Sequence, residues 1–383
     1  MPSRTGDRPP AAAILGCLSF LFLGWSGLIV ASLIRSIERD FDQTDAGIGL
    51  LYFVNAAVYG AGVLGGTLVT RRLGRRRVLA GGIALAVTGL AILATAPAWP
   101  VFLLGIVPFG IGSGTIDGAG NGLILDLFPG SRGRALNLLH FCFSAGALAC
   151  PAVLGQAVAA GVPWRALVGG TALVAAPIAV LFARAAMPDG RRSDGGAEVR
   201  PGGRLLLDRG MLVLGVAIAC YVAAEIGVSN WLVRFLAAVP LDVATTALTL
   251  YWAGLTVGRL GSARIGDRFD HTAFAALASG ATGILVLLAV VAPTTGLSIA
   301  CFAAAGVTSG PIFPLIVAIG GDRHPDRSAD IGGYLAGAAV VGGISYPPVM
   351  GFLSVTIGLP AAMVGTAVLA ILAGGALTRI RRR

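Results

Sequence analysis

Long stretches without a charged residue alternate with short arginine-bearing segments along the whole chain. Ala11–Ile34 and Ala46–Thr70 are the first two such stretches. Val78–Ile116 is too long for one crossing and is broken by Pro97-Ala98-Trp99-Pro100; Ala135–Trp164 and Ala166–Ala183 follow it. Gly210–Ala238, apolar apart from Glu225 and Arg234, and Val243 to about Ala263, which holds Arg259, come next. Thr272–Gly321 is divided by Pro293-Thr294-Thr295-Gly296, and Ile331–Thr378 by Gly358-Leu359-Pro360. A crossing helix needs about 20 apolar residues, so the pattern predicts an all-α polytopic membrane protein with twelve transmembrane helices. Residues 184–209 form the longest polar stretch, with Pro188 and Gly195-Gly196 inside it. That places an N-terminal six-helix half over 1–186, a cytoplasmic linker over 187–208 and a C-terminal six-helix half over 209–383.

The two halves repeat at one shift. Gly110, Gly114 and Ile116 stand 196 residues before Gly306, Gly310 and Ile312. Gly146, Pro151, Val153 and Gly155 precede Gly342, Pro347, Val349 and Gly351 by the same distance, and Gly62 and Arg72 precede Gly258 and Arg268. One shift shared by separate spans points to a duplicated unit. Two parallel six-span repeats around an axis along the membrane normal are a transporter architecture.

Composition narrows the function classes. Of 383 residues 56% are apolar and 12% charged, half the charged share of a soluble domain. A chain of this length has no means of hiding that much apolar surface in water, which excludes a cytosolic enzyme or nucleic-acid binder. The 28 basic residues are all arginine and lie in short loops rather than on one face. With the N-terminus inside, 24 of them fall on the cytoplasmic side and only Arg35, Arg39, Arg165 and Arg234 outside, as the positive-inside bias requires. The expectation is a multi-pass protein of the inner (cytoplasmic) membrane with both termini cytoplasmic. Cys17, Cys142, Cys150, Cys220 and Cys301 sit in apolar runs without CxxC or Cys/His spacing, so no metal, cofactor or disulfide framework is implied.

Two acids lie deep inside apolar spans, Asp117 in span four and Glu225 in span seven. An ionised group there costs roughly 2.5–3.5 kcal/mol on insertion scales, so each is either a proton-coupling group facing a cavity or an interhelical hydrogen-bonding group. Asn121 follows Asp117 by four residues and shares its face, a pairing suited to solute hydroxyls. His140, one turn beyond Asn137 in span five, reads as a relay, a gate hydrogen bond or a packed interhelical histidine. Asn230 and Trp231 approach the outer end of span seven, where Trp231 either stacks a sugar ring or joins the interfacial aromatic belt. Gln156 and Tyr334 are further cavity candidates. The three histidines, His140, His271 and His324, lie in different regions, and no nucleophile–base constellation suggests an enzyme.

The chain resembles the major facilitator superfamily over its whole length. Arg71-Arg72-Leu73-Gly74-Arg75-Arg76 after span two is similar to its signature loop Asp-Arg-x-Gly-Arg-Arg, with Arg71 where the family has an acid; the loop after span eight keeps Asp267-Arg268. The resemblance implies a gating role for Arg72, Gly74, Arg75, Arg76, Asp267 and Arg268. Asp117-Gly-Ala-Gly-Asn121, Leu136-Asn137 through Pro151, and Glu225 through Trp231 resemble the fucose/glucose-type permease group, although that group's acid in span one is missing here. The group couples sugar uptake to a cation. The implied function is secondary active transport by alternating access, with a small neutral polar solute such as a sugar and a proton (or sodium) as partners of a bilayer-embedded monomer. Gly146-x3-Cys150-Pro151-x3-Gly155 partly resembles a drug/proton antiporter signature, so efflux of a drug or metabolite is the alternative.

Overall fold

The structure is a computed structural model that describes residues 11–128, 130–185, 187, 208–323 and 328–380. The expected linker 187–208, apart from its first and last residues, and the arginines at both extremities lie outside the described residues. Helices occupy nearly all of the rest, and no strand occurs among the described residues. They are α1 (Ala11–Gly27), α2 (Ile29–Phe41), α3 (Asp45–Leu73), α4 (Arg75–Thr95), α5 (Trp99–Leu127), α6 (Arg132–Ala159), α7 (Trp164–Arg184), α8 (Arg209–Phe235), α9 (Leu241–Ile265), α10 (His271–Val291), α11 (Thr295–Ser309), α12 (Ile312–Arg323), α13 (Ser328–Ile357) and α14 (Leu359–Thr378).

Helices α1 and α2 together make one crossing segment, as do α11 and α12, which gives twelve segments in the expected order. Eleven of these are long and apolar enough to cross a membrane by length and composition. The twelfth, α9, carries Asp242, Arg259, Arg264 and Thr245, Thr246, Thr249 and Thr256. Those four threonine hydroxyls donate to carbonyls one turn back, at 2.9, 2.7, 3.1 and 2.9 Å. A polar helix of that kind hides its hydroxyls in its own backbone.

The boundaries follow local chemistry. Pro100 opens α5 and Pro360 opens α14 within their first two positions, where a missing N–H costs nothing. Gly74 turns the chain from α3 into α4 at φ +80°, and Gly358 turns it into α14 at φ +90°, a region that side chains rarely enter. Pro311 cannot donate to the preceding turn, and α11 stops just before it.

The chain forms two compact units. One holds Met1–Ile29, Ala57–Cys150 and Val162–Asp194; the other holds Val30–Ala56, Pro151–Gly161 and Gly195–Arg383. Residues 30–56 and 151–161, which the sequence repeat assigns to the N-terminal half, thus belong to the second unit.

Lipid tails are as apolar as the side chains, so burial does not drive helices together in a bilayer, and close backbone packing must do so instead. The repeated glycines provide it. In the first unit a Cβ at Gly62 would strike the carbonyl of Ile111, and one at Gly114 the carbonyl of Tyr59, where α3 crosses α5. In the second unit a Cβ at Gly258 would strike the carbonyl of Val307, and one at Gly310 that of Leu255, where α9 meets the α11–α12 segment. Each of these four pairs is its counterpart displaced by 196 residues. Gly146 likewise admits the Leu21 carbonyl of α1, and Gly342 the Ala219 carbonyl of α8.

Gly65 and Gly261, one turn from these crossings, have open space around them. We therefore expect Gly62→Val and Gly258→Val each to destabilise the purified protein by about 1–3 kcal/mol or more, as overpacking does. Gly65→Val and Gly261→Val should leave the thermal midpoint nearly unchanged. Equal effects at all four positions would refute the crossing argument.

Candidate functional site

Asp117 lies in α5 ten residues before Leu127, about 15 Å along the helix axis from that end. It therefore stands well inside the hydrocarbon layer, half-buried in the first unit. Tyr59 of α3 donates its hydroxyl to Asp117 Oδ2 at 2.8 Å, and Asn121 donates Nδ2 to Oδ1 at 2.9 Å. The same amide also reaches the Asp117 carbonyl at 3.0 Å. The approach of Tyr59 is possible because Gly114 and Gly118 lie on the α5 face that meets α3. Each carboxylate oxygen thus has one neutral donor, and no ion pair to Asp117 is formed among the described residues.

His140 of α6 is exposed, packs edge-on against Phe20 at 5.7 Å between ring centroids, and is near enough to Asp117 to act on it electrostatically. Asn137, one turn away, is exposed. Asp117 and Asn121, paired by their helical spacing, share one neighbourhood in the first unit with His140, which another helix brings to them.

In the second unit Glu225 accepts a hydrogen bond from Tyr221, one turn earlier on α8. The Tyr221 hydroxyl also lies 3.0 Å from the Ser309 carbonyl at the end of α11. The buried Tyr251 hydroxyl lies near Ser309 and within electrostatic reach of both Glu225 and Arg259. Glu225 is thus part of a tyrosine cluster.

Trp231 is fully buried, edge-on to Tyr52 at 6.0 Å, and its indole N–H has no hydrogen-bond partner among the described residues. Tyr52 in turn donates to the Asn230 carbonyl at 3.2 Å. Gln156 is exposed, and the Tyr334 ring covers Gly215.

In the signature loop, Arg75 is buried at the start of α4, while Arg72 and Arg76 are exposed. Its guanidinium forms a 2.6 Å ion pair with Asp126 of α5 and donates to the Ala119 carbonyl at 3.3 Å. Asp126 thus supplies an acid for this loop, one that the family pattern did not point to. Gly122 leaves the room that the guanidinium occupies. Arg268 is exposed in a 3-10 turn, Gly266–Arg268, that also holds Asp267.

Tyr59, Tyr221, Tyr251 and Asp126 were not singled out from the sequence. The signal for the tyrosines was a phenol inside an apolar span, since a buried hydroxyl normally needs a partner. For Asp126 it was an acid at the membrane edge facing a run of arginines.

A family model described as the Major Facilitator Superfamily matches residues 14–242. A glucose/galactose transporter of Brucella abortus biovar 1 is 24% identical over 381 residues, covering 93% of this chain and 91% of that protein. Among solved structures, the nucleoside transporter NupG aligns with a TM-score of 0.81 at 14% identity, over 96% of this chain and 99% of that one. The E. coli fucose:proton symporter FucP aligns at 0.65 and 19% identity, over 97% and 98%. With the repeat, the twelve crossing segments and a match over more than half its length, the chain belongs to the Major Facilitator Superfamily, and it is a transporter rather than an enzyme.

Proposed function

We propose that this chain is a proton-coupled importer of a small neutral polar solute, a sugar above all, working by alternating access. The observation that carries the reading is the Asp117 carboxylate held by two neutral donors, Tyr59 and Asn121, with the imidazole of His140 within electrostatic reach. An ionised carboxylate only accepts hydrogen bonds, whereas a protonated one also donates. Uptake of a proton would release either the Tyr59 hydroxyl or the Asn121 amide to bond a solute hydroxyl, so proton and solute would be felt at one place. Two relatives support the choice of solute class: the Brucella protein is named a glucose/galactose transporter and FucP a fucose:proton symporter. Substrate contacts are assigned to Asn121, His140, Asn137, Asn230, Trp231 and Gln156, with Glu225 as a secondary ionisable group. The arginine distribution supports an inner-membrane orientation with both termini in the cytoplasm.

The glycines of the antiporter-like segment have a packing explanation. Gly146 admits α1, Gly155 admits Thr245 of α9, and their counterparts Gly342 and Gly351 admit α8 and α3. Symmetric packing accounts for them without antiport.

Asp117→Asn should abolish proton-driven accumulation in proteoliposomes but retain solute exchange at equal concentrations, because exchange needs no net proton movement. Glu225→Gln should do less, and the reverse ranking would move the coupling group to α8. Asn121→Ala should weaken solute affinity about tenfold while expression and melting temperature hold, the loss of one good hydrogen bond; unchanged affinity would make Asn121 a packing residue. Single cysteines introduced between Arg191 and Gly203 should react with a membrane-impermeant maleimide only from the cytoplasmic face, and labelling of intact cells would reverse the orientation.

A further inference from the structure

The arginine-poor ends of α2, α3, α8 and α13, all within the second unit, meet around one guanidinium. Arg234 Nε, at the end of α8, lies 2.9 Å from Glu38 Oε2 of α2 and 2.9 Å from Asp45 Oδ1 at the start of α3. One N–H is thus shared by two carboxyl groups, whose nearest oxygens can be no farther apart than twice that distance. Ser354 of α13 donates to the second Asp45 oxygen. Both acids are nearly buried, at 11% and 8% side-chain exposure, and Glu38 Oε1 is buried with no hydrogen-bond partner among the described residues.

Glu38 and Arg234 are also 196 residues apart, the shift of the internal repeat. They occupy equivalent positions in spans one and seven, so the duplicated architecture brings the two positions face to face and the sequence has given them opposite charges. The surrounding packing has the same symmetry. Gly155 admits Thr245, and Gly351 admits Gly49 and the Asp45 carbonyl, residues again related by the repeat. Asp45 has no acidic counterpart, because Leu241 stands there. It is the addition that leaves two acids on one base.

The other charges nearby do not restore the balance by contact. Arg35 of α2 is committed to two carbonyls, Val239 at 2.8 Å and Ala237 at 3.1 Å. Arg39, Asp40 and Asp42 lie on or just beyond the same helix, Tyr52 of α3 is within electrostatic reach of Glu38, and α13 contributes Ser354 among the described residues. Asp242, at the start of α9, and Asp42 are not ion-paired with Arg234 among the described residues. Two ionised acids on one N–H repel each other at close range, and Arg35 acts on Glu38 only from a distance, so a single proton shared by the pair is favoured.

We infer that Glu38 and Asp45 form a second proton-binding site, which holds one shared proton while the ends of α2 and α3 are closed on Arg234 and releases it when they part. On separation both acids return to water and no longer need the proton. The sign follows: a proton bound in the closed arrangement and lost in the open one favours closure as pH falls, and that bias disappears as pH rises. In the proposed orientation this end faces outside, so external acid would close the outer gate behind an entering solute. The inference rests on the alternating-access reading but not on Asp117.

The test is the distance between spin labels at Thr44 and Ala238, both exposed, in the full-length protein with its native cysteines replaced, reconstituted in nanodiscs between pH 5 and 8. The short-distance population relative to the long one should rise as pH falls, with a ceiling of about tenfold per pH unit for one linked proton. Glu38→Gln and Asp45→Asn, each nearly isosteric, should remain mostly closed at every pH and lose the response. Asp117→Asn should keep it. Wild-type distances that ignore pH, or an undiminished response in both gate variants, would overturn the site. If Asp117→Asn alone abolishes the response, the coupling reading stands and this one falls. If the gate variants flatten it while Asp117→Asn still accumulates solute, this site survives and the Asp117 assignment fails.

Discussion

The whole arrangement depends on how closely two helix backbones can approach in an apolar solvent. Burial gives helices little reason to associate once all of them are in lipid, so contact must come from dispersion, weak hydrogen bonds and good fit. At Gly62, Gly114, Gly258 and Gly310 a side chain would occupy the space taken by a facing carbonyl. Those crossings fix α3 against α5 and α9 against α11–α12. The polar chemistry is placed by them: Tyr59 reaches Asp117 only because α3 lies against the glycine face of α5.

The two membrane-embedded acids are held by the same means, direct hydrogen bonds from neutral hydroxyl and amide donors. Asp117 has a phenol and an amide; Glu225 has a phenol. A carboxylate held in that way keeps the freedom to change its protonation state, which a tight arginine pair would suppress. Where the protein does pair charges, it does so near helix ends: Arg75 with Asp126, and Arg234 with Glu38 and Asp45. This division between neutral networks at depth and ion pairs near the rims fits a machine whose ends open and close around a site that titrates.

Much of this was legible in the sequence because a bilayer imposes a strict length and apolarity on every crossing segment. Apolar runs and Pro/Gly breaks located the spans, and the shared shift of Gly62, Gly114, Gly146 and their partners revealed the duplicated unit whose glycines turn out to stand at helix crossings. The Asp117–Asn121 pairing followed from helical spacing alone. What escaped were partners brought by other helices. Tyr59 is separated from Asp117 by 58 residues, Asp126 from Arg75 by 51, and Asp45 from Arg234 by 189. No local periodicity encodes such pairs. Helix α9 was placed as a span from the apolar run Val243 to about Ala263, although its threonines and Arg259 make it less apolar than the rest.

The central claim, that solute and proton move together, is tested most directly by the pH inside sealed proteoliposomes loaded with a fluorescent pH indicator. With no initial pH gradient and sodium absent, a sugar that the protein transports is added outside. Downhill entry of the sugar should carry protons with it and acidify the lumen, and the acidification should vanish when the membrane is made freely permeable to protons. Sugar entry with no change in lumen pH would contradict coupling, and alkalinisation would mean exchange of solute for proton instead.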